Sequence, residues 1–445
     1  MTDDSLLLEA VLAAATRAGA DAADALLVER TSLGLSWRLG ALEGLERKEE
    51  RELGVRVLVG RRVATAATNR LDADSLRALS EEAVATARLL PEDPWAGLAA
   101  PEELAAGVLE LDLADPAGEP AAESLQRAAA TAEAAARAVP GVTNTDGASA
   151  SWSAATVTLA ATNGFSGSYR RTRFGLGVTV LAGSGTAMQR DHEYRQATHR
   201  ADLPAPEAIG RTAGERTVRR LGPRKVATTR VPVVFEPRAA AGLLRHLAAA
   251  IGGEAVAAGR TFLENRLGQP VFGPGVTIVD DPLRPRGLAS RPFDGEGIAG
   301  TRRKVIDGGV LTTWLLDLAT ARRLGLASTG HASRGGAALG SPGPTNFFLE
   351  PGVVGPETLI ADIAAGFYVT EMMGVGVNTV TGDYSRGAAG FWIENGAIAY
   401  PVSEVTVAGN LAEMFARLVP ASDLELRGAV DAPTLRIDGL VVAGR

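Results

Sequence analysis

Four histidines are the first candidates for metal or proton chemistry: His192, His199, His246 and His331. His192 is followed by Glu193, as at the start of a zinc-hydrolase helix, but His199 comes only seven residues after His192. Two imidazoles share one face of a helix at a spacing of i and i+4. This stretch also continues a strand pattern, so we interpret it as a surface pair rather than a metal site.

The other two histidines have few chemical neighbours. Residues 247–251 are all apolar, so nothing there can bind a metal or move a proton, and His246 is typical of a histidine in or near the core. His331 lies in a Gly/Ser loop close to Ser333, which fits no G-x-S-x-G elbow. A serine nucleophile also needs a base and a third group that orients it.

Acidic residues beside glycines form a second set of candidates. Asp294 and Glu296 lie in F-D-G-E-G, and Asp383 follows Gly382 in T-G-D-Y. Such acids most often accept backbone N–H bonds in turns. No partner group for acid–base catalysis is visible, so the turn role is favoured.

The composition excludes several classes of function. The chain has 445 residues, a net charge of −7 and no cysteine, which removes disulfides, thiolate nucleophiles and Cys-based metal sites. The acidic balance argues against nucleic-acid binding. The N-terminus lacks a cationic start, and no run approaches the roughly 18 apolar residues of a membrane span. We therefore expect a soluble, cytoplasmic protein that binds neither nucleic acid nor a membrane.

The elements that must position these residues indicate an α+β fold. We predict an α/β N-terminal domain over 1–222, with helices packed on a sheet and a connector at 91–122. A β-rich, Gly-rich domain with a few helices is predicted over 230–445. Local patterns predict strands, two Asn-Gly hairpin turns and one long amphipathic helix. They are strands at 24–30, 32–39, 53–59, 62–68 and 376–381, turns at Asn163-Gly164 and Asn395-Gly396, and a helix over about 238–258.

The 52 glycines permit close approach of the backbone and positive φ. One use is an exposed strand edge or groove that takes up an extended peptide by main-chain pairing. Tight turns in a twisted sheet would explain the same glycines, and both interpretations stay open.

Several segments resemble the TldD/PmbA family, and together they cover nearly the whole chain. They are GVRVLVGRRVATAATNRLD (54–72), NGFSGSYRRT (163–172), RPFDGEGIAGTRRKVIDGGVL (291–311), the loop at 328–352 and NTVTGDYSRGAAGFWIENGAIAYPVSEVTVAGNL (378–411). The chain is more similar to the PmbA (TldE) branch of that family than to TldD.

The resemblance implies a degenerate metal site. TldD-type proteins carry H-E-x-x-x-H-x-x-E on a helix, and a cysteine completes the site. The corresponding helix here would run from His246 to Glu254, with Leu247 at the base position and Ile251 at the second histidine position. Leucine cannot polarise water and isoleucine offers zinc no lone pair. We therefore expect no metal and no catalytic residue in this chain.

The resemblance also implies a partner. PmbA-type subunits pair with a TldD-type subunit that supplies zinc and catalysis, and the complex degrades unfolded peptides or processes peptide-antibiotic precursors. This chain would then help to hold an extended peptide. The candidate groove residues are Asp294, Glu296, His331, Asn346, Gly382 and Asp383. An apolar partner interface would include Met372, Met373, Phe391 and Trp392, and a place in the ordinary core explains the same residues at least as well.

Two alternatives stay open. One is a self-contained hydrolase, acting as a homodimer, that uses His331, Ser333, Asp294 or Glu296. The other is a scaffold or regulator in a toxin or topoisomerase system, because the family is also described as modulating DNA gyrase. A homodimer in isolation is compatible with either view.

Overall fold

One antiparallel sheet organises the N-terminal half of the computed structural model, which describes residues 3–336 and 338–444. Its strands are β1 (Ala22–Arg38), β2 (Ala41–Val59), β3 (Arg62–Thr68), β4 (Val142–Ala161), β5 (Ser166–Ala182) and β6 (Gln189–Ala197). Their order is β3-β2-β1-β4-β5-β6. The accompanying helices are α1 (Asp3–Ala18), α2 (Ala73–Leu89), α3 (Ala122–Arg137) and α4 (Pro206–Arg219).

Alternation along the strands gives this sheet one helix-covered face and one open face. Leu27 packs in the core with α1 and α2, and Leu33 packs in the core with α3 and α4. Successive side chains of a strand point to opposite faces, so Leu26 lies on the other side. There it packs with Leu159 and with Phe293 of the C-terminal half. The open face of the sheet is therefore turned toward the second half of the chain.

The C-terminal half contains a sheet that closes on itself. Its strands run in the order β16-β15-β14-β7-β19-β17, and β16 also pairs with β19. They are β7 (Thr229–Phe235), β14 (Ala365–Met373), β15 (Asp383–Glu394), β16 (Ala397–Asn410), β17 (Val419–Pro420) and β19 (Leu435–Ala443). The strands β8 (Ile278–Asp280), β9 (Arg303–Asp307), β10 (Val310–Leu311), β13 (Phe347–Leu349) and β18 (Val430–Asp431) form another sheet, and β11 (Ser333–Gly335) and β12 (Ala338–Gly340) form a hairpin.

Short helices complete this half. They are α5 (Pro237–Ala250), α6 (Gly253–Ala257), α7 (Leu318–Leu324), α8 (Pro356–Ile360) and α9 (Leu411–Arg417). Leu243 and Leu247 of α5 share one large core with Val233, Phe367 and Ile437 of the closed sheet. The α+β class predicted from the sequence is confirmed. Within the described ranges, no helix combines the length and apolar character that crossing a membrane requires.

The first strands are longer than the sequence predicts. The segments expected at 24–30 and 32–39 are one strand, β1, and the segment at 53–59 is only the end of β2. Residues 41–52 of β2 are exposed on both faces. They therefore lack the apolar alternation by which a half-buried strand is recognised.

The long helix expected over 238–258 is broken after α5. The amide of Gly253 donates to the carbonyl of Leu315 at 2.8 Å, and the amide of Leu315 donates to the carbonyl of Ile251 at 3.0 Å. Backbone hydrogen bonds to a segment distant in sequence thus replace the hydrogen bonds of the helix at this point. Thr320 packs where a Cβ of Gly253 would lie, so this close approach requires glycine.

Both predicted Asn-Gly hairpin turns are confirmed, and one predicted strand is wrong. Asn395 and Gly396 have φ values of 49° and 76°, as the tight turn between β15 and β16 requires. The segment at 376–381 is mainly a turn, closed by a 2.8 Å bond from the amide of Gly382 to the carbonyl of Asn378.

Candidate functional site

A cleft of about 1310 Å³ lies between the open face of the N-terminal sheet and loops of the C-terminal half. Strand register fixes its sheet side. Val28, Val157 and Tyr169 are cross-strand neighbours in one row, and Arg30 and Arg171 flank Ala155 in the next row. The C-terminal side includes Arg291, Phe293, Asp294, Ser333 and Arg334. The cleft thus has an apolar stretch beside a cationic one.

Buried ion pairs join the two halves at the floor of the cleft. Nε of Arg56 donates to Oδ2 of Asp24 at 2.7 Å, and Arg334 from the β11 hairpin pairs with the other oxygen of Asp24. Nη1 of Arg56 lies 3.6 Å from Oε1 of Glu296. All of these side chains are 7% exposed or less. We call Asp24, Arg56, Glu296 and Arg334 the junction cluster.

Asp294 lies beside this cluster and organises loops. Its carboxylate accepts from the amides of Glu296, Ile298 and Ala332 at 2.9–3.0 Å. Burial raises the pKa of Asp294 although Arg291 opposes the effect. Both oxygens are occupied by the backbone, so Asp294 is placed to hold the loop rather than to abstract a proton.

Glu296 is the member of the junction cluster that can titrate near neutrality. Burial, together with the charge of Asp294, raises the pKa of Glu296 to about 8, against the attraction of Arg56. Arg56 lowers the pKa of Glu296 only partly, because Arg56 lies closer to Asp24 than to Glu296. The other oxygen of Glu296 accepts from the amide of Leu318 at 2.9 Å, at the start of α7.

His331 and Asn346 are buried behind the cleft. Both ring nitrogens of His331 are engaged, Nε2 with Asp280 at 3.0 Å and Nδ1 with Thr329 at 2.8 Å. Neither nitrogen is free to act as a base for Ser333. The amide of Asn346 donates to the carbonyl of Asp281 and the hydroxyl of Ser290, both at 2.7 Å. These contacts tie loops together.

The helix that the resemblance aligned with a metal site does not fit a zinc ion. Leu247 and Ile251 are 0% exposed and belong to the apolar core. Glu254 lies on α6 rather than α5, is exposed, and accepts from the hydroxyl of Ser341 at 2.5 Å. Among residues 3–336 and 338–444, no three His, Asp or Glu side chains are grouped so that they could hold a metal.

His246 alone retains a nitrogen at this position. It is half-buried, and its ring meets that of Tyr384 edge to face at 6.0 Å. Its Nε2 is buried and makes no hydrogen bond within the described part of the chain. Burial, with the nearby charges of Arg386 and Arg245, lowers the pKa of His246. Burial and these two cations therefore both favour the neutral imidazole.

Gly382 and Asp383 do not line the cleft. Gly382 has a φ of 80°, which ends the turn before β15. Asp383 is exposed and accepts from the hydroxyl of Thr381 at 2.7 Å. Of the six groove candidates, the structure therefore brings Asp294 to the lining of the cleft, buries Glu296, His331 and Asn346 behind it, and leaves Gly382 and Asp383 in a separate turn.

The apolar interface expected around β15 is wrong for its two aromatic residues. Phe391 and Trp392 are only 7% and 9% exposed, because β15 runs between β14 and β16 in the closed sheet. Arg219 also covers the ring of Phe391, with its guanidinium carbon 5.0 Å from the ring centre. Met373 is exposed and Met372 is half-buried.

Sequence reasoning missed the charged residues of the cleft. Asp24 and Arg56 lie within strands whose neighbouring residues are apolar, which is a detectable signal for a buried ion pair. Arg30 and Arg171 gave no local signal, because their proximity depends on the order of strands in the sheet.

Comparison with known proteins gives consistent matches along the chain. Models of PmbA/TldA metallopeptidases match it in three segments: domain 1 at residues 23–87, the central domain at 114–221 and the C-terminal domain at 228–444. The metalloprotease PmbA of Escherichia coli O157:H7 is 37% identical over 426 residues, which cover 96% of this chain and 93% of that protein.

Solved structures agree with this fold over its full length. A proposed modulator of DNA gyrase from Bacteroides thetaiotaomicron has a TM-score of 0.92 and 29% identity, with 100% of both chains covered. TldE of Thermococcus kodakarensis has a TM-score of 0.88 over 98% of this chain and 100% of its own. At 19% identity, the second likeness shows the fold alone.

Proposed function

This chain belongs to the PmbA/TldD family of metallopeptidases, and we propose that it is the non-catalytic, peptide-binding subunit of a family protease. Zinc and catalytic residues would come from a TldD-type partner. The observation that carries the proposal is the apolar end of α5, where Leu247 and the C-cap residue Ile251 are 0% exposed. Side chains without lone pairs, packed in a core, can neither bind zinc nor activate water.

The cleft offers a way to hold an extended peptide. Strand β3 ends at Thr68, which pairs with Leu53, so residues 41–52 of β2 pair only with β1 within the described ranges. Such an edge presents free N–H and C=O groups to which an extended peptide adds as a further strand. Glu49–Glu52 of this edge and Ala67–Asn69 both line the cleft. A bound peptide would therefore continue the line of β3.

Co-purification with a TldD-type subunit tests the division of labour. We expect this chain alone to hold no stoichiometric zinc and to cleave no peptide, and the complex to hold zinc in the partner and to lose activity with a chelator. Elemental analysis and a peptidase assay on each preparation measure this. Chelator-sensitive peptidase activity from this chain alone would overturn the proposal.

Fluorescence anisotropy with a labelled extended peptide tests the binding role. The control is the same peptide methylated at alternate backbone nitrogens, which removes the donors that strand addition needs. We expect the unmodified peptide to bind and the methylated one to bind at least about tenfold more weakly, since several main-chain hydrogen bonds are lost. Equal binding of the two peptides would contradict strand addition.

The alternatives have weaker support. A self-contained hydrolase would need a free base, whereas both nitrogens of His331 are engaged and Asp294 is occupied by backbone amides. A regulatory role toward a topoisomerase is suggested only by the description of the Bacteroides protein. A cytoplasmic location and a homodimer in isolation stay predictions from the sequence.

A further inference from the structure

Three arginines line one end of the cleft on the open face of the N-terminal sheet: Arg30, Arg171 and Arg173. Arg30 on β1 and Arg171 on β5 are both in register with Ala155 on β4. Adjacent strands lie about 4.8 Å apart, so the two arginine backbones are about 10 Å apart, with only a methyl group between them. The small side chain of Ala155 leaves room for a ligand between the guanidinium groups.

None of these three arginines makes an ion pair with an acid within the described residues. Arg30 and Arg171 make no ion pair or hydrogen bond with any residue in 3–336 or 338–444. Arg173 donates only to the backbone carbonyl of Leu288, at 3.0 Å. Burial and the like charges of Arg171 and Arg30 lower the pKa of Arg173, which is the sign of cations held close together.

The acid nearest to the group forms its ion pair elsewhere. Glu50 lies opposite Arg30 on β2 and pairs with Lys48, and the charge of Arg30 also helps to lower the pKa of Glu50. The other arginines of the cleft are engaged, because Arg291 donates to the carbonyl of Ala332 at 2.9 Å and Arg334 pairs with Asp24. Arg30, Arg171 and Arg173 therefore have no acidic partner among the described residues, and Glu52 of β2 is a lining acid that likewise has no ion pair there.

We propose that Arg30, Arg171 and Arg173 form a carboxylate-binding site that holds an acidic group of the bound peptide. The inference rests on the proposed peptide-binding function and names the class of peptide. A guanidinium group matches a carboxylate with two parallel hydrogen bonds. Val28, Val157 and Tyr169 form the adjacent apolar row, so the site selects an acidic group next to apolar residues. The acid is either the C-terminal carboxylate or an Asp or Glu side chain.

Three forms of one fluorescein-labelled decapeptide of Ala, Val and Thr distinguish these sources. One form has an amidated C-terminus and no acid, one has a free C-terminal carboxylate, and one has an amidated C-terminus with a central Glu. Anisotropy titrations against the full chain measure each affinity. We expect one acidic form to bind at least about tenfold more tightly than the neutral form, as a charge-assisted pair provides. The tighter form identifies the source of the carboxylate.

Arg171→Gln is the test variant and Arg170→Gln is its matched control. Arg170 is the next residue of β5, is exposed, and points to the opposite face of the sheet. We expect Arg171→Gln to abolish the preference for the acidic form and Arg170→Gln to keep it, with both variants melting at the wild-type temperature.

The outcomes separate this inference from the function on which it rests. Equal affinity for all three peptides, or a preference that persists in Arg171→Gln, overturns the carboxylate site while peptide binding stands. If none of the three peptides binds, the proposed peptide-binding function fails and the inference fails with it.

Discussion

The buried side chains around helix α5 are apolar, whereas those at the floor of the cleft are charged or polar. The positions that the resemblance aligns with the metal site of TldD-type proteins are Leu247 of α5 and Ile251 directly after this helix, both 0% exposed in an apolar core. At the floor, Asp24, Arg56 and Arg334 are also buried but form ion pairs. Buried ion pairs often contribute less to stability than apolar residues of the same volume. The contrast teaches that the polar chemistry of this chain has to be sought in the cleft, where charge is kept despite its cost.

Polar substitutions at the end of α5 should cause the largest loss of stability. Leu247→Glu with Ile251→His restores two family residues, yet we expect no zinc binding, because Glu254 lies on the separate helix α6 and the chain has no cysteine. A carboxylate placed in the core without a partner should lower the free energy of unfolding by more than about 5 kcal/mol. Elemental analysis and thermal unfolding with and without zinc measure both effects.

Two milder variants keep this prediction testable if the double variant does not fold. Leu247→Met preserves volume and should cost less than about 1.5 kcal/mol. Ile251→His alone should fold more weakly than wild type and gain no thermal stability from added zinc. Stoichiometric zinc together with peptidase activity in the double variant would contradict the view of α5 as a purely apolar wall.

Removing a buried charge from the floor of the cleft should cause the second-largest loss of stability. Arg56→Met leaves one side of the buried Asp24 carboxylate without its cation, and we expect a loss of about 3–5 kcal/mol in the free energy of unfolding. Arg51→Met is the control. Arg51 lies on the same strand but pairs with Asp4 and Glu29 while half-exposed, so its removal should cost less than about 1 kcal/mol. Urea unfolding of both variants measures these losses. Equal losses of unfolding free energy would show that the junction cluster stabilises the fold no more than an exposed ion pair does.

The pH dependence of stability should distinguish the two regions. The pKa of Glu296 is about 8 in the fold, against 4.5 when unperturbed. Between these values the folded protein keeps a proton that the unfolded chain has released, so stability falls as pH rises through this window. The slope is at most about 1.4 kcal/mol per pH unit for one proton. Melting temperatures between pH 5 and 9 measure it, and Glu296→Gln should flatten the profile. A slope that is unchanged in that variant would assign the titration to another group.

Local signals predicted much of the fold. The Asn163-Gly164 and Asn395-Gly396 turns were found because positive φ has a strong residue preference. The exposed part of β2 and the break after α5 were not predicted, although the Gly252-Gly253 pair at the break is a local signal for a turn. Residues 41–52 have no buried face, and the break depends on hydrogen bonds with Leu315, more than 60 residues away.

The candidate site was predicted only in part, for a related reason. Asp294 and Glu296 were found as acids beside glycines, and the structure places Asp294 in the lining of the cleft and Glu296 buried behind it. Arg30 and Arg171 are adjacent only because β4 lies between β1 and β5. A single sequence does not encode that order as a local pattern, so the cationic row could not be predicted from it.

His246 should give the smallest effect and the opposite dependence on pH. Its pKa is lowered by burial and by Arg386 and Arg245, so below pH 6.5 the unfolded chain binds a proton that the folded protein resists. Stability from this group is therefore lost as pH falls, whereas that from Glu296 is lost as pH rises. Because Nε2 makes no hydrogen bond in the described part of the chain, His246→Phe should change stability at pH 7 by less than about 1 kcal/mol. At pH 5 the variant should melt above wild type. If the variant melts below wild type at both pH values, the imidazole has a polar partner. The surroundings of α5 would then not be apolar, and the contrast with the charged floor of the cleft would not hold.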